Sequence, residues 1–350
     1  MKLALVILHA DPARGGAERY TVDLAAALAR RGHDVSLLAT SFAGPSACVS
    51  NVTIRATGIT RAARYRSFLN ALDAHLSTTP YDIVHAMLPV NRCEVYHPHA
   101  GIAAAAEQNW SIHLNPRRKR MAAVERALLS GERAPVTIAL SEYVKRSIRA
   151  HYPLRDERLA RLFNAVDLQR FQPAPRSDRD YVNGLFVGQD LERKGLMQAL
   201  VAASMLKEPR LKITVVGKRN PALRVPPDAG GQFSFAGEVA DPRPFYAAAD
   251  FFVLPTRHDP CSLVVLEALA MGLPVISTIF NGATEIMTDG VHGYVLTDPN
   301  DVHALAEAMR KLLDPERRQA MTQACLALRA RLSYEHHLDE LMRIYERARR

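Results

Sequence analysis

What most constrains this chain is an alternation that runs along it twice. Short apolar segments rich in Val, Ile and Leu recur, each followed by a helical pattern. "KLALVIL" (2–8) precedes a helix near 16–31; "DVSLLAT" (34–40), "YDIVHAM" (81–87) and "PVTIALS" (135–141) follow, the last with a helix from about 142. Such runs, separated by helices of about 10–15 residues, argue for parallel sheets with helices on both faces. The alternation breaks at "LQRFQPAPRSDRD" (168–180), whose prolines and charges suit a connector. It restarts with "YVNGLFVG" (181–188), "LKITVVG" (211–217), "FSFAG" (233–237), "FFVLP" (251–255) and "LPVIST" (273–278). The 350 residues are enough for two ordinary domains. The expected fold is therefore α/β, with two Rossmann-like domains facing an interdomain cleft. They span 1–170 and 181–333 around a linker at 171–180, and a C-terminal helix, 334–350, packs back on the first domain. In open sheets of this kind, ligands sit at the carboxyl ends of the strands, so the loops leaving the strands hold the candidate residues.

Apolar residues make up 48% and charged residues 23%, a soluble globular composition. No apolar run approaches the ~20 residues of a transmembrane helix. "MKLALVILHADP" reads as a first buried strand rather than a signal peptide, because Asp11 and Arg14 follow at once and no small-residue cleavage site does. Cys48, Cys93, Cys261 and Cys325 form no C-x-x-C pair. Zinc-knuckle and redox motifs are thereby excluded, and reduced thiols in a cytoplasmic protein are the expectation. The formal charge of +9 attracts polyanions: nucleic acid, anionic lipid or phosphorylated substrates. No zinc finger, RNP motif or helix-turn-helix accompanies it, so nucleic acid is not the expected partner. The densest basic stretch is 113–133, where Arg117, Arg118, Lys119, Arg120, Arg126 and Arg133 outnumber Glu125 and Glu132.

Three loops stand out. Gly15-Gly16 lies between a strand and a helix, where glycines let backbone approach a ligand and the helix start favours an anion. It lacks the G-x-G-x-x-G of a dinucleotide fold and reads equally as a plain turn. In "GQDLERKGL" (188–196), Arg193 and Lys194 stand where a helix begins, placed to clamp a diphosphate or simply to be solvated. In "DPCSLVVLEALAMG" (259–272), Ser262 is a plausible N-cap, leaving the amides of Leu263 and Val264 to an anion. Glu267 lies inside an otherwise apolar helix. A buried carboxylate is costly unless hydrogen bonded, and either ribose hydroxyls or a backbone amide would satisfy it. Asp259, in the preceding loop, is in reach of a sugar hydroxyl. Downstream, Gly282 and Gly293 suit tight loops, and Glu285 begins a short helix.

With these pieces in order the chain resembles the retaining GT-B glycosyltransferases of family 4, whose motif is E-x7-E followed by a helix and a G-x-P-V strand. Here it reads D-P-C-S-L-V-V-L-E-A-L-A-M-G-L-P-V, and the likeness runs from Gly15-Gly16 through "FNAVD" (163–167) to the C-terminal helix. Two departures are visible: Asp259 replaces the usual first Glu, and Gln189 replaces the usual Arg of G-R-L-x-x-K-G. The subgroup similar to the lipopolysaccharide core glucosyltransferase I shares the second departure and carries R-K-G, as Arg193-Lys194-Gly195 do. The resemblance implies a nucleotide-sugar donor. Glu267 would hold the ribose; Asp259 and the amides of Cys261, Ser262 and Leu263 would hold the sugar. Arg193 and Lys194 would neutralise the leaving diphosphate, with Gly15, Gly16 and Gly188 close to it. Gly217, Lys218 and Asn220 would flank the base. His99, or alternatively His97, matches the histidine that contacts the donor sugar.

The implied activity is transfer of a hexose, glucose from UDP-glucose in that subgroup, to a glycan or glycolipid such as a lipopolysaccharide core. Retention of configuration, same-face attack and independence of any metal or cofactor belong to the same implication. Met121, Val124 and Leu128 make one stripe on the basic helix, preceded by Trp110. That stripe reads either as an element at an anionic membrane surface, on the inner face of the cytoplasmic membrane, or as an ordinary core-facing helix. The alternatives to transfer are a nucleotide-sugar epimerase of the same fold, or a non-enzymatic binder of anionic membrane or nucleic acid.

Overall fold

The computed structural model describes every residue except 45–47, 100, 107–114, 132, 175–178, 219–230 and 350. The chain forms two compact units, Met1–Phe163 with His337–Arg350, and Asn164–His336. In the first, β1 (Lys2–Val6), β2 (Asp34–Ala39), β3 (Ser50–Thr53), β4 (Ile83–Ala86), β5 (Val95–Tyr96), β6 (Val136–Ala139) and β7 (Leu159–Arg161) pair in the order β3-β2-β1-β4-β5-β6-β7. In the second, β8 (Val182–Val187), β9 (Leu211–Val216), β10 (Phe233–Gly237), β11 (Phe251–Val253), β12 (Val275–Thr278) and β13 (Gly293–Leu296) pair in the order β10-β9-β8-β11-β12-β13. Every pairing is parallel.

Parallel sheets are covered on both faces, so their central strands are apolar throughout. Leu3, Ala4, Leu5 and Val6 are fully buried, as are Leu185, Phe186 and Phe251–Val253. Helix Gly16–Arg30 turns Tyr20, Leu24 and Leu28 inward, one residue per turn. Helix Arg61–Thr78, which no strong periodicity announces, buries Tyr65, Phe68, Leu69 and Leu72 and starts at a Thr60 cap that accepts from the Ala63 amide at 3.1 Å. Each such buried side chain is worth roughly 1.5–3 kcal/mol.

The division between units falls after Phe163, ahead of the composition break. Val166 N–H donates to Leu332 O at 2.8 Å, Phe171 is buried, and the Arg329 guanidinium donates to Phe171 O at 3.0 Å. Those contacts fasten 164–171 to the second unit, although 164–170 were expected in the first. The C-terminal helix, Tyr334–Arg349, contributes His337, Leu338, Leu341, Ile344 and Tyr345 to the first unit's interior. No helix among the described residues is long and apolar enough to cross a membrane.

Candidate functional site

The second unit gathers its polar residues where β8, β11 and β12 end. Two glycines let the exits of β8, β9 and β11 meet. Gly217 has φ +151°, and a Cβ there would lie 1.8 Å from Gly188 O; Gly195 has φ +81°, and a Cβ there would lie 2.2 Å from Pro255 O. Only glycine allows both the left-handed backbone and the close approach. The loop after β8 is thereby laid on the loop after β11, and two bonds fasten it: Arg257 N–H to Arg193 O at 3.0 Å, and Arg193 Nη1 to His258 O at 2.5 Å. Arg193 Nε also donates to Asp190 at 2.9 Å. Beside it the Lys194 ammonium is ion-paired with the Asp259 carboxylate, and both side chains are nearly buried, 13% and 10% exposed. The helix that follows begins at Leu196, behind a Gly195 cap, so the two cations stand immediately before its start.

Asn281, at the end of the β12 loop, organises the start of the helix Leu263–Ala270. Its Oδ1 accepts from Ser262 N–H at 3.2 Å and Ala283 N–H at 3.1 Å, and its Nδ2 donates to Ser277 Oγ at 3.1 Å. Asp259 bridges to the same loop through its backbone, donating to Phe280 O and accepting from Gly282 N–H, both at 2.9 Å. Ser262 occupies the N-cap position, yet its hydroxyl makes no capping bond; buried, it finds no partner. Asn164 donates to Cys261 O at 3.0 Å, while its own Oδ1 is buried and without a partner. Burial pushes the Cys261 thiol up to about 12, so it stays a neutral group in this loop. Glu267, 8% exposed in a helix of apolar residues, accepts from the Tyr246 phenol at 2.9 Å. Burial and the Glu267 carboxylate raise the Tyr246 hydroxyl far above its ordinary value, keeping it a donor. Gly282 opens a 3-10 turn, Gly282–Ile286, and Glu285 lies inside that turn instead of beginning it. Gly293 begins β13. Lys218 is exposed, and Asn220 lies outside the described residues.

In the first unit, Gly15 caps the helix Gly16–Arg30 with extended backbone. The sequence "HPH" places two rings in the interior. His99 packs on Tyr20 and on His97, ring centres 4.2 Å apart in each case. His97 shares a 3.3 Å hydrogen bond with His85, whose other nitrogen meets the Tyr345 hydroxyl at 2.8 Å. Tyr20 and His337 are joined at 2.7 Å. Burial holds His85 and His97 well below the usual imidazole value and pushes His99 down to about 3. All three rings are therefore neutral, and the Nε2 atoms of His97 and His99 are buried without a partner.

Sequence reasoning missed Glu125, counted there only as a charge. It is fully buried on the helix Pro116–Leu129 and accepts from Tyr96 OH at 2.5 Å, Ala103 N–H at 2.8 Å, Ala104 N–H at 3.1 Å and Tyr152 OH at 2.8 Å. No spacing rule flags such a residue; its neighbours are set by tertiary packing alone. The same helix resolves the apolar stripe. Met121 and Val124 pack on the cluster of Tyr65, Phe68 and Leu69, and Leu128 is buried. Of the two readings of that stripe, the core-facing one is what the structure shows. Trp110 lies outside the described residues. What the helix start leaves outward is charge: Arg117 is half-buried and its guanidinium is pushed down by burial and then by Arg61, Arg118 and Arg14 nearby. Neither Arg61–Thr78 nor Pro116–Leu129 has an acidic residue in its first turn to balance them. Among the described residues no group of three or more His, Cys, Asp or Glu side chains is arranged to hold a metal.

Residues 14–170 match the family model "Glycosyltransferase Family 4", and residues 182–315 match "Glycosyl transferases group 1". Lipopolysaccharide glucosyltransferase WaaG of Escherichia coli K12 is 26% identical over 93% of this chain and 91% of that protein. D-inositol 3-phosphate glycosyltransferase of Nocardiopsis dassonvillei is 26% identical over 98% of this chain and 94% of that protein. Among solved structures, that of WaaG, a glycosyltransferase involved in lipopolysaccharide biosynthesis, superposes with a TM-score of 0.81 at 22% identity. It covers 97% of this chain and 99% of the other.

Proposed function

Because this chain is a glycosyltransferase of the GT-B fold, with a family 4 domain followed by a group 1 domain, we propose that it takes a hexose from a nucleotide-diphospho-sugar and transfers it to a glycan or glycolipid hydroxyl with retention. The observation that carries this reading is the cluster of Arg193, Lys194 and Asp259 beside the start of the helix that buries Glu267. The incoming diphosphate draws Lys194 from Asp259, which frees that carboxylate for the hydroxyls of the sugar. Glu267, oriented by Tyr246, accepts from the ribose. The unpartnered Ser262 hydroxyl and the first-turn amides meet the phosphates. As the bond from the anomeric carbon to the diphosphate oxygen breaks, charge grows on that oxygen against two cations already in place. The acceptor oxygen bonds to the same face of the carbon, and its proton leaves with the diphosphate. Those two cations do the neutralising, so the reaction is metal-independent.

Glucose as the transferred sugar and a lipopolysaccharide as acceptor are supported by the glucosyltransferase relative; UDP as the nucleotide and the core as the site of attachment complete the proposal. A phosphorylated cyclitol is the second acceptor reading, supported by the equally similar inositol 3-phosphate enzyme and by the gathering of Arg14, Arg61, Arg117 and Arg118. The same charge suits peripheral contact of a cytoplasmic protein with an anionic membrane, by electrostatics rather than by inserted side chains. Calorimetry with a panel of UDP-, GDP- and ADP-sugars tests the donor; no binding to any of them sinks the proposal. The anomeric configuration of the product, read by NMR, tests retention.

A further inference from the structure

We infer that Glu125 is a positioning residue for transfer, holding residues 97–99 and with them the His99 ring; this rests on the transfer proposed above and on the resemblance that sets His99 against the donor sugar. The four donors to Glu125 are not scattered. Tyr96 ends β5 immediately before the turn, and Ala103 and Ala104 open the short helix Ala103–Ala106 immediately after it. One carboxylate therefore closes both ends of the segment whose apex carries His97 and His99. Within it, Gly101 adopts φ +81° and its N–H returns to Pro98 O at 3.0 Å. The fourth donor, Tyr152, comes from the C-cap of the helix Glu142–His151, so the tie also reaches a second helix.

The chemistry demands a carboxylate. Each oxygen takes one phenol and one backbone amide: Oε2 accepts from Tyr96 and Ala103, Oε1 from Tyr152 and Ala104. Glutamine keeps one oxygen but turns an NH2 toward a backbone N–H, which cannot reverse its role. A fully buried carboxylate is an expensive way to tie two segments together, and apolar packing would suffice if only stability were needed. What four charge-assisted bonds add is fixed geometry. The beneficiary is a ring that is neutral, packed on Tyr20, and carries a buried Nε2 without a partner. A shift of about 1 Å at such a group costs on the order of 100-fold in rate.

Glu125→Gln in the full-length chain, compared with Tyr152→Phe, tests this. Hydrogen exchange should speed up roughly tenfold or more at 96–106 in Glu125→Gln and not elsewhere in the unit. With UDP-glucose, or whichever sugar nucleotide the donor panel selects, kcat should fall roughly 10–100-fold while the donor KM stays within about twofold. Tyr152→Phe removes a bond but leaves both amide contacts, so it lowers the melting temperature without that fall in kcat. If Glu125→Gln does not fold, Glu125→Asp, which keeps the charge on a shorter stem, is measured the same way. Unchanged exchange overturns the inference, and so does fast exchange with unchanged kcat. Failure of the functional reading looks different: the wild-type chain then turns over no sugar nucleotide, and exchange alone decides whether Glu125 holds the turn.

Discussion

The two units are built on one plan and filled differently. Counted from its own first strand, each sheet runs 3-2-1-4-5-6, and the first adds a seventh strand at one edge. Prominent among the buried polar groups of the first are rings and a carboxylate, His85, His97, His99, Glu125 and His337 with Tyr20, Tyr96 and Tyr345, beside the hydroxyls of Thr21, Ser36, Thr137 and Ser141. Those at the strand ends of the second are short hydroxyls, an amide and two carboxylates, Thr256, Asp259, Ser262, Glu267, Ser277, Thr278 and Asn281, and its buried imidazole is that of His292. A shared frame thus leaves interior chemistry free. The first unit holds neutral bases that protonation would disrupt. The second holds a preformed charge pair and an unmet hydroxyl, that of Ser262, at its strand ends.

The largest effect that separates them is pH. A histidine held neutral by burial takes its proton more readily when unfolded. Its contribution is therefore complete above about pH 6.5 and is lost as pH falls toward the folded value. His85, His97 and His99 are all shifted down, His99 to about 3. Together they give a slope of about 4 kcal/mol per pH unit below 6.5. Calorimetric scans at pH 7.5 and 5.5 should show the first unit's transition falling much further than the second's; an equal fall breaks the contrast.

Next is the ion pair. Lys194→Ala strands a nearly buried Asp259 and should cost about 3 kcal/mol in the second unit. It should also lower transfer at least ~100-fold, as should Glu267→Ala, in chains that remain folded by circular dichroism. Retained turnover in both variants contradicts the roles given to them. A backbone test is smaller. Gly195→Ala places a methyl 2.2 Å from Pro255 O at φ +81° and should cost about 2 kcal/mol in denaturant melts. Smallest in stability is Ser262→Ala, whose hydroxyl has no partner to lose; it should change stability by under about 0.5 kcal/mol. If the hydroxyl meets the donor, affinity falls roughly tenfold by calorimetry, which sharpens the contrast between a group kept for the fold and one kept for the ligand.

Much of this frame is legible in the sequence, because buried parallel strands are apolar runs and few alternatives fit them. β3, β5, β7 and β13 are not. β5 is only two residues long, and β3 reads "SNVT", the exposed edge of the sheet. On the second unit, the contact of Lys194 with Asp259 joins residues 65 apart. Each residue was visible alone, but their mutual neutralisation is a product of the two glycine-lined loops lying together. Ser262 was legible by position and misread by chemistry: a serine before a helix normally caps it, and this one does not. Glu125 shows the limit most clearly, since three of its four donors come from loops and helices that only the fold brings to it.

The second unit leaves after Phe163 and the chain returns at His337, and those residues are hydrogen bonded, His337 Nδ1 to Phe163 O at 2.8 Å. Just inside, Val166 bridges Ser333. The second unit is therefore a parenthesis in the sequence whose two brackets stand side by side. A module with adjacent ends can be lifted out, permuted or exchanged with little strain on its host. Recombination then needs only two crossovers to join an old first unit to a new second one, and a laboratory graft across the same two points inherits that economy.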